Sequence, residues 1–509
     1  MSALSSNAEF VRHIRLHLRL KRVLAYAFIS LFLSFIVGFF YIRQGDFEGR
    51  GQQSSGSGML FLAFVVQALI LAGGGGIACL NSIYSEKDRN TFDYQRVTRL
   101  TSLELALGKL FGAPLLMYLI CVCLAPITFY AAILAGGDVS HVLAAYAVLL
   151  IASIAFHSFN LLLSLVLVRG SQVSGIILSL FLLYFMSVGS FGAYFYLHPL
   201  GPFMAPELAN SHSWAAPRPT YPGSAWRYGP ARFTDLFWGR PVHHFPVLIV
   251  LDLLLTAWFL LAVIRNIKKD PEQYELYSPL QFLGLAIFLN LVIVSFYNTA
   301  WATPLDTQAI FLTFNIVILS LLGIALLRSR ERMRSLLRAD PSVSSWAATL
   351  WPAPILGLAA LFAGGLISGC LYYSHSSSGE WNFGFALLRA LFFTVWIARD
   401  IQFLQVMNLR PGKHPLVLAC IFLFLYYICA LFLLGALGCL RIPGRIPFTS
   451  LFLPTPVFVL DFKAWSQAPS VWICGFAVHL VLLGFFVYLQ RDRVRSLQAS
   501  PAVAAVANS

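Results

Sequence analysis

Residues 139–168 read VSHVLAAYAVLLIASIAFHSFNLLLSLVLV, a run of 30 residues without Asp, Glu, Lys or Arg. A helix that crosses the hydrocarbon core of a bilayer needs roughly 20 mostly apolar residues, because each backbone amide must find its hydrogen-bond partner within the segment. The composition of the whole chain agrees, since 59% of its 509 residues are hydrophobic and only 11% are charged. A soluble globule of this size needs more polar surface, so the sequence predicts a lipid-embedded protein.

Eleven further windows of this kind predict eleven more spans. Two of them contain one charged residue, Asp252 in the sixth span and Arg389 in the tenth, and the others contain none. The first window follows many basic residues and lacks a small-residue cleavage site, which predicts a permanent anchor and not a signal peptide. The fold class that follows is all-α and polytopic, with about 12 transmembrane helices. The eleven windows are 23–42, 51–85, 110–137, 170–206, 245–264, 276–305, 307–327, 341–379, 381–398, 414–440 and 464–490.

The basic residues indicate which ends of the spans face the cytoplasm. If the N-terminus is inside, the tails and inner loops carry 25 Lys and Arg against 12 Asp and Glu, whereas the outer loops carry 9 against 8. This bias accounts for the net charge of +14 without a nucleic-acid partner. Both termini are therefore predicted to be cytoplasmic. The eight cysteines lack metal-ligand spacing and are predicted to be small core residues.

Two similar halves indicate a duplicated unit. The two long outer loops, 198–244 and 441–469, each precede the last span of a six-span block. The third span begins LFGAPLL (110–116) and the ninth begins LWPAPIL (350–356). Transporters are commonly built from such repeats, here in parallel orientation. The predicted divisions are a cytoplasmic amphipathic N-terminal helix, a first six-span unit, a second and divergent six-span unit, and a cytoplasmic tail, at residues 1–22, 23–270, 271–490 and 491–509.

The N-terminal stretch EFVRHIRLHLRLKRV, residues 9–23, is amphipathic. Read as a strand, residues 14–21 alternate as well as a helix would, so periodicity alone does not decide. A strand at the bilayer surface would leave its amides unpaired, which favours a helix that lies on the membrane surface. Such a helix has a basic stripe of Arg12, Arg15, Arg19 and Arg22 and an apolar stripe of Phe10, Val11, Ile14 and Leu18.

The first large cytoplasmic loop, residues 86–110, reads EKDRNTFDYQRVTRLTSLELALGKL. It resembles the signature of permeases of the type-2 ATP-binding-cassette (ABC) exporter family, which has an acidic and basic opening, Gly-Thr, an apolar residue, a Thr-Pro-Leu-Ser-like turn, Glu and Gly-Lys. Asn90 replaces the usual Gly, and Arg99 replaces the usual Pro. The second half matches mainly by layout, because the Glu and the Gly-Lys are absent there. The matching positions are Glu86, Arg89, Thr91, Phe92, Leu100, Thr101, Glu104, Gly108 and Lys109.

The resemblance implies a permease subunit of an exporter that uses ATP hydrolysed on a separate cassette ATPase chain. It implies that this loop couples ATPase closure to the spans. No cofactor is expected on this chain, and ATP and magnesium would belong to the ATPase. The other implied partners are the lipid bilayer and an unknown substrate, in a bacterial inner membrane. The implied coupling residues are Glu86, Arg89, Thr91, Thr101, Glu104, Gly108 and Lys109.

The sequence contains no nucleotide-binding loop, which agrees with an ATPase on a separate chain. A nucleotide-binding loop needs GxxxxGK followed by Ser or Thr, and neither Gly108-Lys109 nor Gly412-Lys413 has that context. Within the loop, Thr101 or Ser102 is placed to cap a helix that holds Glu104 in its first turn, where the helix dipole favours negative charge. Lys109 is then expected at the membrane boundary. The alternative is an ordinary solvated loop, since any cytoplasmic loop is charged.

Polar residues at bilayer depth are costly and are candidates for a transport pathway. Four are singled out here: His157, Asn160, Asp252 and Arg389. Each has a structural alternative as well. The first two lie at i and i+3 and are spaced for an interhelical hydrogen bond, Asp252 lies near the outer face, and Arg389 is spaced to pair with Glu380 or with another span.

Two further features of the spans carry structural expectations. Arg399 and Asp400 are expected to close the tenth span at the cytoplasmic boundary. Four consecutive glycines, residues 73–76 in the second span, predict a close helix contact or a local break.

Two other classes of function stay open. A secondary, ion-coupled transporter also has six plus six helices, but such carriers have a Gly-rich loop after the second span and a long central loop, and this chain has neither. A membrane-embedded glycosyltransferase-like enzyme places paired carboxylates in an outer loop, and only Asp46 and Glu48 offer such a pair. His243 and His244 are candidate metal ligands with His198 or His212, although nothing in the sequence fixes their geometry.

Overall fold

The computed structural model describes residues 7–47, 52–166, 234–237, 240–270, 274–295, 304–339, 349–375, 383–411, 415–439 and 469–498. These residues are almost entirely helical, which confirms the all-α class. The chain divides into two compact units, 1–271 with 295–297 and 272–294 with 298–509. The predicted span 170–206 and the outer loop 441–469 lie outside the described residues, so the count of twelve spans stays a prediction.

The first unit begins with two helices in place of the single helix predicted for residues 1–22. The helix α1 ends at His17, and Leu18 leaves helical geometry with φ −91° and ψ 39°. The two helices separate here because α1 packs against α6, whereas α2 packs against α3 and α7. The helices of the unit are α1 (Ala8–His17), α2 (Leu20–Phe47), α3 (Gln52–Ala68), α4 (Gly75–Asp88), α5 (Phe92–Arg96), α6 (Ser102–Gly112), α7 (Leu115–Leu134), α8 (Val139–Val166) and α9 (His244–Asn266).

The second span departs from regular α-helical geometry at the predicted glycine run. A π-helical turn, Leu69–Gly74, joins α3 to α4, and such turns form where an extra residue is accommodated in an α-helix. The glycines that follow allow α8 to approach closely. A Cβ atom on Gly75 would lie 2.3 Å from His157 Nε2, and one on Gly76 would lie 2.8 Å from the Phe156 ring. The expectation of a close contact is confirmed, and the helix continues without a break through the π-helical turn.

Part of the predicted outer loop 198–244 forms a short antiparallel hairpin. Its strands, β1 (Thr234–Phe237) and β2 (Arg240–His243), pair Thr234 with His243 and lead directly into α9.

The second unit is built around one long helix, α14, which packs against α11, α13, α15 and α16. The tenth window predicted a span that ends at residue 398, but α14 continues to Asn408. The reason is that Arg399 and Asp400, expected to close the helix, are buried and paired with neighbouring helices instead. The helices are α10 (Pro279–Ser295), α11 (Pro304–Leu326), α12 (Arg330–Ala339), α13 (Ala353–His375), α14 (Phe383–Asn408), α15 (Pro415–Cys439) and α16 (Pro469–Gln498).

Six helical stretches of the described residues are long and apolar enough to cross a membrane, which indicates a multi-pass membrane protein. Apolar side chains on the outside of α2, such as Phe28 and Phe35, are 71% exposed, as expected for a helix whose solvent is lipid. The six stretches are Gly56–Asp88, Ser102–Leu134, Val139–Val166, Leu248–Asn266, Ala353–Leu371 and Pro469–Gln498, and shorter apolar stretches are Val23–Ile36, Pro279–Val292 and Pro415–Ala430.

Candidate functional site: an ionic cluster in the first unit

The N-terminal helix α1 is held against α6 by a capped end and a close backbone approach. The Asn7 side chain accepts hydrogen bonds from the backbone N–H groups of Glu9 and Phe10, at 3.0 and 3.2 Å, and its Nδ2 donates to the Glu104 carbonyl at 2.6 Å. Two glycines on one face of α6, four residues apart, make room for α1. A Cβ atom on Gly108 would lie 2.8 Å from Glu9 Cβ, and one on Gly112 would lie 2.8 Å from His13 Cβ.

Four charged side chains meet between α1, α4 and α6, and we call them the ionic cluster: Glu9, Arg12, Glu86 and Lys109. Lys109 is fully buried, and its Nζ lies 2.5 Å from Glu86 Oε2 and 3.2 Å from Glu9 Oε1. Arg12 Nη2 lies 2.6 Å from Glu9 Oε1 and 2.7 Å from Glu86 Oε1. Two carboxylates therefore balance two cations, and this offsets the loss of hydration of the three buried members, while the Arg12 side chain is 44% exposed.

Neighbouring polar groups complete the cluster and set the charge of Glu9. Gln95 Nε2 donates to Glu86 Oε1 at 2.7 Å, and His13 Nε2 lies 3.4 Å from Glu9 Oε1. Burial raises the pKa of Glu9, but the interactions with His13, Lys109 and Arg12 outweigh it and lower this pKa to about 2. Burial lowers the pKa of Arg12, and the two carboxylates outweigh that effect and raise it. Both groups therefore remain charged at neutral pH.

Residues 87–96, which follow Glu86 in the chain, contact the ends of α8 and α9. Lys87 Nζ donates to the carbonyl of Ser164 at 3.1 Å and also to that of Leu165, in the last turn of α8. Arg96 Nη2 lies 2.6 Å from Asp270 Oδ1, just after α9. Residues 86–109 are therefore attached to the end of α8 and to the residues that directly follow α9.

The predicted cap of α6 is confirmed. Thr101 Oγ1 accepts from the Glu104 backbone N–H at 3.2 Å, and Glu104 Oε2 accepts from the Thr101 backbone N–H at 2.7 Å, which forms a capping box. The hydrogen bonds from Thr101 lower the pKa of the exposed Glu104 carboxyl. Glu104 thus presents a fixed negative charge on the surface.

The turn between α4 and α5 explains one departure from the family pattern. Asn90, in the position of the usual Gly, has φ 57°, in the left-handed region that Gly and Asn adopt most readily. Thr91 follows, and its Oγ1 donates to the Glu86 carbonyl at 3.2 Å. Arg89 is exposed and ends α4.

The seven implied coupling residues therefore fall into two groups. Glu86, Gly108 and Lys109 belong to the buried contact with α1, and Thr91 adjoins it. Arg89, Thr101 and Glu104 lie on the exposed side of the same segment. The sequence did not predict that Glu9 and Arg12 would join the cluster, with His13 beside them. Lys109 is buried between Glu86 and Glu9, and its place at the membrane boundary stays a prediction. The i, i+3 spacing of Glu9 and Arg12 was the available signal.

Of the two pathway candidates on α8, His157 and Asn160, only His157 makes a hydrogen bond to the second span. His157 Nε2 lies 2.7 Å from the Leu71 carbonyl in the π-helical turn, and its Nδ1 lies 3.1 Å from the Tyr118 hydroxyl. The imidazole can donate to the first and accept from the second. Asn160 Nδ2 donates to the Phe156 carbonyl at 2.9 Å. Both side chains are fully buried. The contacts of His157 join α8 to the second span and to α7, whereas the hydrogen bond of Asn160 stays within α8.

The other two pathway candidates are also buried. Asp252 on α9 is 1% exposed, and its Oδ2 has no hydrogen-bond partner among the described residues. Arg389 on α14 is 1% exposed, and its Nη1 donates to Gln308 Oε1 on α11 at 3.5 Å. Its pairing with another span is confirmed, and Glu380 lies outside the described residues.

A second buried polar network lies in the second unit, where α14, α15 and α16 meet. Arg399 Nη2 lies 2.5 Å from Asp400 Oδ1, and Arg399 Nη1 lies 2.7 Å from His479 Nδ1. The Tyr427 hydroxyl accepts from Arg399 Nη2 at 2.8 Å and donates to Asp400 Oδ2. This network, which we call the α14 network, joins an acid, a base and a hydroxyl within the helical bundle.

Among the described residues, no group of three or more His, Cys, Asp or Glu side chains is placed to hold a metal ion. His198 and His212, proposed as metal ligands, lie outside this part of the chain. No protein-family model, curated protein or solved structure matches the chain.

Proposed function

We propose that this chain is the membrane-spanning permease subunit of an ABC-type exporter, driven by ATP that a separate ATPase subunit hydrolyses. The observation that carries the proposal is the ionic cluster, which binds the N-terminal helix and residues 86–109 to the helices that cross the membrane. A permease without its own ATPase needs such a rigid link, because a force applied outside the membrane has to move the spans.

The exposed side of residues 86–109 supports the same proposal. Arg89, Thr101 and Glu104 do not contribute to the ionic cluster, and the negative charge of Glu104 is fixed by the capping box. Glu104 is an exposed charge of fixed orientation, on a segment that the ionic cluster holds in place. Such a charge suits recognition of a partner protein. We therefore assign the ATPase contact to this exposed side and the transmission of its motion to the cluster. The proposed location in a bacterial inner membrane and the unidentified exported substrate both follow from the family resemblance.

The test is an affinity pull-down of the detergent-solubilised chain from its native membranes, with mass spectrometry of the co-purified proteins. Glu104→Gln keeps the capping box, because Gln also serves at this position, but removes the charge. We expect a cassette ATPase to co-purify with the wild type and its yield to fall at least threefold with Glu104→Gln, as for a lost charged contact.

The chain offers a matched control. Asp138 is also an exposed carboxylate whose pKa is lowered by a hydrogen bond from a backbone N–H, that of Ser140, at the start of α8. It lies at the predicted outer face, so Asp138→Asn should leave the ATPase yield unchanged. Purification without any ATPase, or an equal loss with Asp138→Asn, would contradict the proposal.

A second candidate, the ion-coupled transporter, is favoured by the α14 network. Buried carboxylate, imidazole and hydroxyl groups in membrane helices are the parts of proton relays. If no ATPase co-purifies, transport by proteoliposomes should be measured with an imposed pH gradient. Asp400→Asn should then abolish gradient-driven transport, whereas Glu331→Gln, an exposed carboxylate on α12, should not.

A further inference from the structure

The exposed face of α1 carries an open groove that shares only Arg12 with the ionic cluster. The groove has a volume of about 490 Å³ and is lined by Ala8, Val11, Arg12, Arg15, Leu16 and Arg19. Arg15 and Arg19 are exposed, and neither makes an ion pair within the described residues. Arg12 lies between the two sites, because it lines the groove and also contacts Glu9 and Glu86.

Exposed leucines surround these arginines. Leu16 and Leu18 are 49% and 37% exposed, and Leu20 and Leu24, at the start of α2, are 72% and 59% exposed. Arginines beside leucines that continue into a lipid-facing helix are typical of a helix at the membrane interface. A water-soluble anion would not use the leucines, whereas a phospholipid would use both features.

We propose that Arg15 and Arg19 bind the phosphate group of an anionic phospholipid, with its acyl chains along Leu20 and Leu24. A guanidinium presents several N–H donors in a plane and matches phosphate oxygens well. Basic clusters next to a transmembrane helix bind anionic lipids, and each Lys or Arg near the surface contributes favourably. The proposal does not depend on the exporter hypothesis. It also places a lipid within reach of Arg12, and therefore next to the ionic cluster.

The test is native mass spectrometry of the full chain, delipidated in mild detergent and then offered equal amounts of phosphatidylglycerol and phosphatidylcholine. The wild type should retain phosphatidylglycerol preferentially. The Arg15→Gln/Arg19→Gln variant should lose this preference by about fivefold for each arginine removed. Arg15→Lys/Arg19→Lys should keep most of it, because the charge remains. The matched control is Arg338→Gln/Arg410→Gln, which removes two exposed arginines from the second unit.

Three results would overturn the proposal. The first is an unchanged lipid preference in Arg15→Gln/Arg19→Gln, and the second is an equal loss in the Arg338→Gln/Arg410→Gln control. The third is binding of inorganic phosphate that depends on Arg15 and Arg19, without retention of phosphatidylglycerol. That result would assign the groove to a free anion. Because both side chains are exposed, all the variants should unfold at the same temperature as the wild type. The single variant Arg19→Gln should lose part of the lipid preference at an unchanged unfolding temperature, which separates a binding effect from a change in folding.

Discussion

Lys109 shows how strongly the first unit depends on single side chains. Its ammonium group is fully buried and is neutralised by Glu86 at 2.5 Å and Glu9 at 3.2 Å. Removal of one partner of a buried pair leaves an uncompensated charge, which costs about 3 kcal/mol or more. We therefore expect Glu86→Gln to lower the unfolding temperature of the purified protein by several degrees. The double variant Glu86→Gln/Lys109→Met should recover part of this loss, and a double variant less stable than Glu86→Gln would show that the two residues are not coupled.

Glu9 gives the cluster a dependence on acid. Its pKa in the folded protein, about 2, lies below the ordinary value of 4.5, so its stabilisation is complete above pH 4.5 and is lost as the pH falls through about 2. The difference between the two pKa values corresponds to roughly 3 kcal/mol. Stability of the wild type and of Glu9→Gln should be measured as a function of pH. The wild type should be more stable at pH 7, and the difference should shrink below pH 4.5; a difference independent of pH would contradict this assignment.

At this scale the sequence predicted only the local interactions. Thr101 and Glu104 lie three residues apart, and their capping box follows from sequence spacing alone. Glu9 and Lys109 lie a hundred positions apart in the chain, and neither helical periodicity nor charge counting indicates that they meet. The position of Lys109 at the membrane boundary stays a prediction, whereas its burial between two carboxylates had no signal in the sequence.

Among the elements, the second span should tolerate change least. A methyl group on Gly75 would lie 2.3 Å from His157 Nε2, and it would displace the imidazole that binds the Leu71 carbonyl. We expect Gly75→Ala to destabilise the protein by about 2 kcal/mol, typical of overpacking, as measured by thermal unfolding in detergent. Gly365→Ala on α13 is the control, since a Cβ there has no neighbour within 4 Å. Equal effects of the two substitutions would contradict the packing role of Gly75.

The turn between α4 and α5 makes a second prediction for an element. Asn90 has a left-handed backbone with φ 57°, which costs a β-branched residue roughly 1 kcal/mol or more. Asn90→Gly should leave the unfolding temperature nearly unchanged, whereas Asn90→Val should lower it. If both variants melt like the wild type, the left-handed turn is not required.

Element boundaries were predictable where local chemistry sets them and not where neighbours do. The glycine run at 73–76 predicted the close approach of α8 to the second span. The end of α14 was placed ten residues too early, because two charged residues normally mark a membrane boundary, and Arg399 and Asp400 instead find buried partners on α15 and α16. The break between α1 and α2 has no sequence signal, since Leu18 and Leu20 continue the apolar pattern.

For the whole molecule, the charge bias predicts which side each loop occupies. In a variant whose native cysteines are replaced, Asp138→Cys should react with a membrane-impermeant maleimide in intact cells, and Arg410→Cys only after permeabilisation. Both positions are exposed, so access to the reagent is limited by the membrane alone. The reverse labelling pattern would place the termini outside and would contradict the predicted orientation.

The division of the chain into two units is also a whole-molecule property. The two compact units divide after residue 271, in a short polar link between apolar blocks, and the predicted six-span units stay a prediction. Whether the second unit is a copy of the first stays a prediction.

The ionic cluster and the Arg96–Asp270 pair hold the same segment by links of different salt sensitivity. Asp270 is 63% exposed, whereas Lys109 is fully buried, and dissolved ions screen only charges that water reaches. High ionic strength should therefore weaken the Arg96–Asp270 pair more than the buried pairs of Lys109, while the hydrogen bond from Lys268 Nζ to the Thr98 carbonyl remains. Salt concentration thus becomes a way to loosen one attachment of this segment without any mutation.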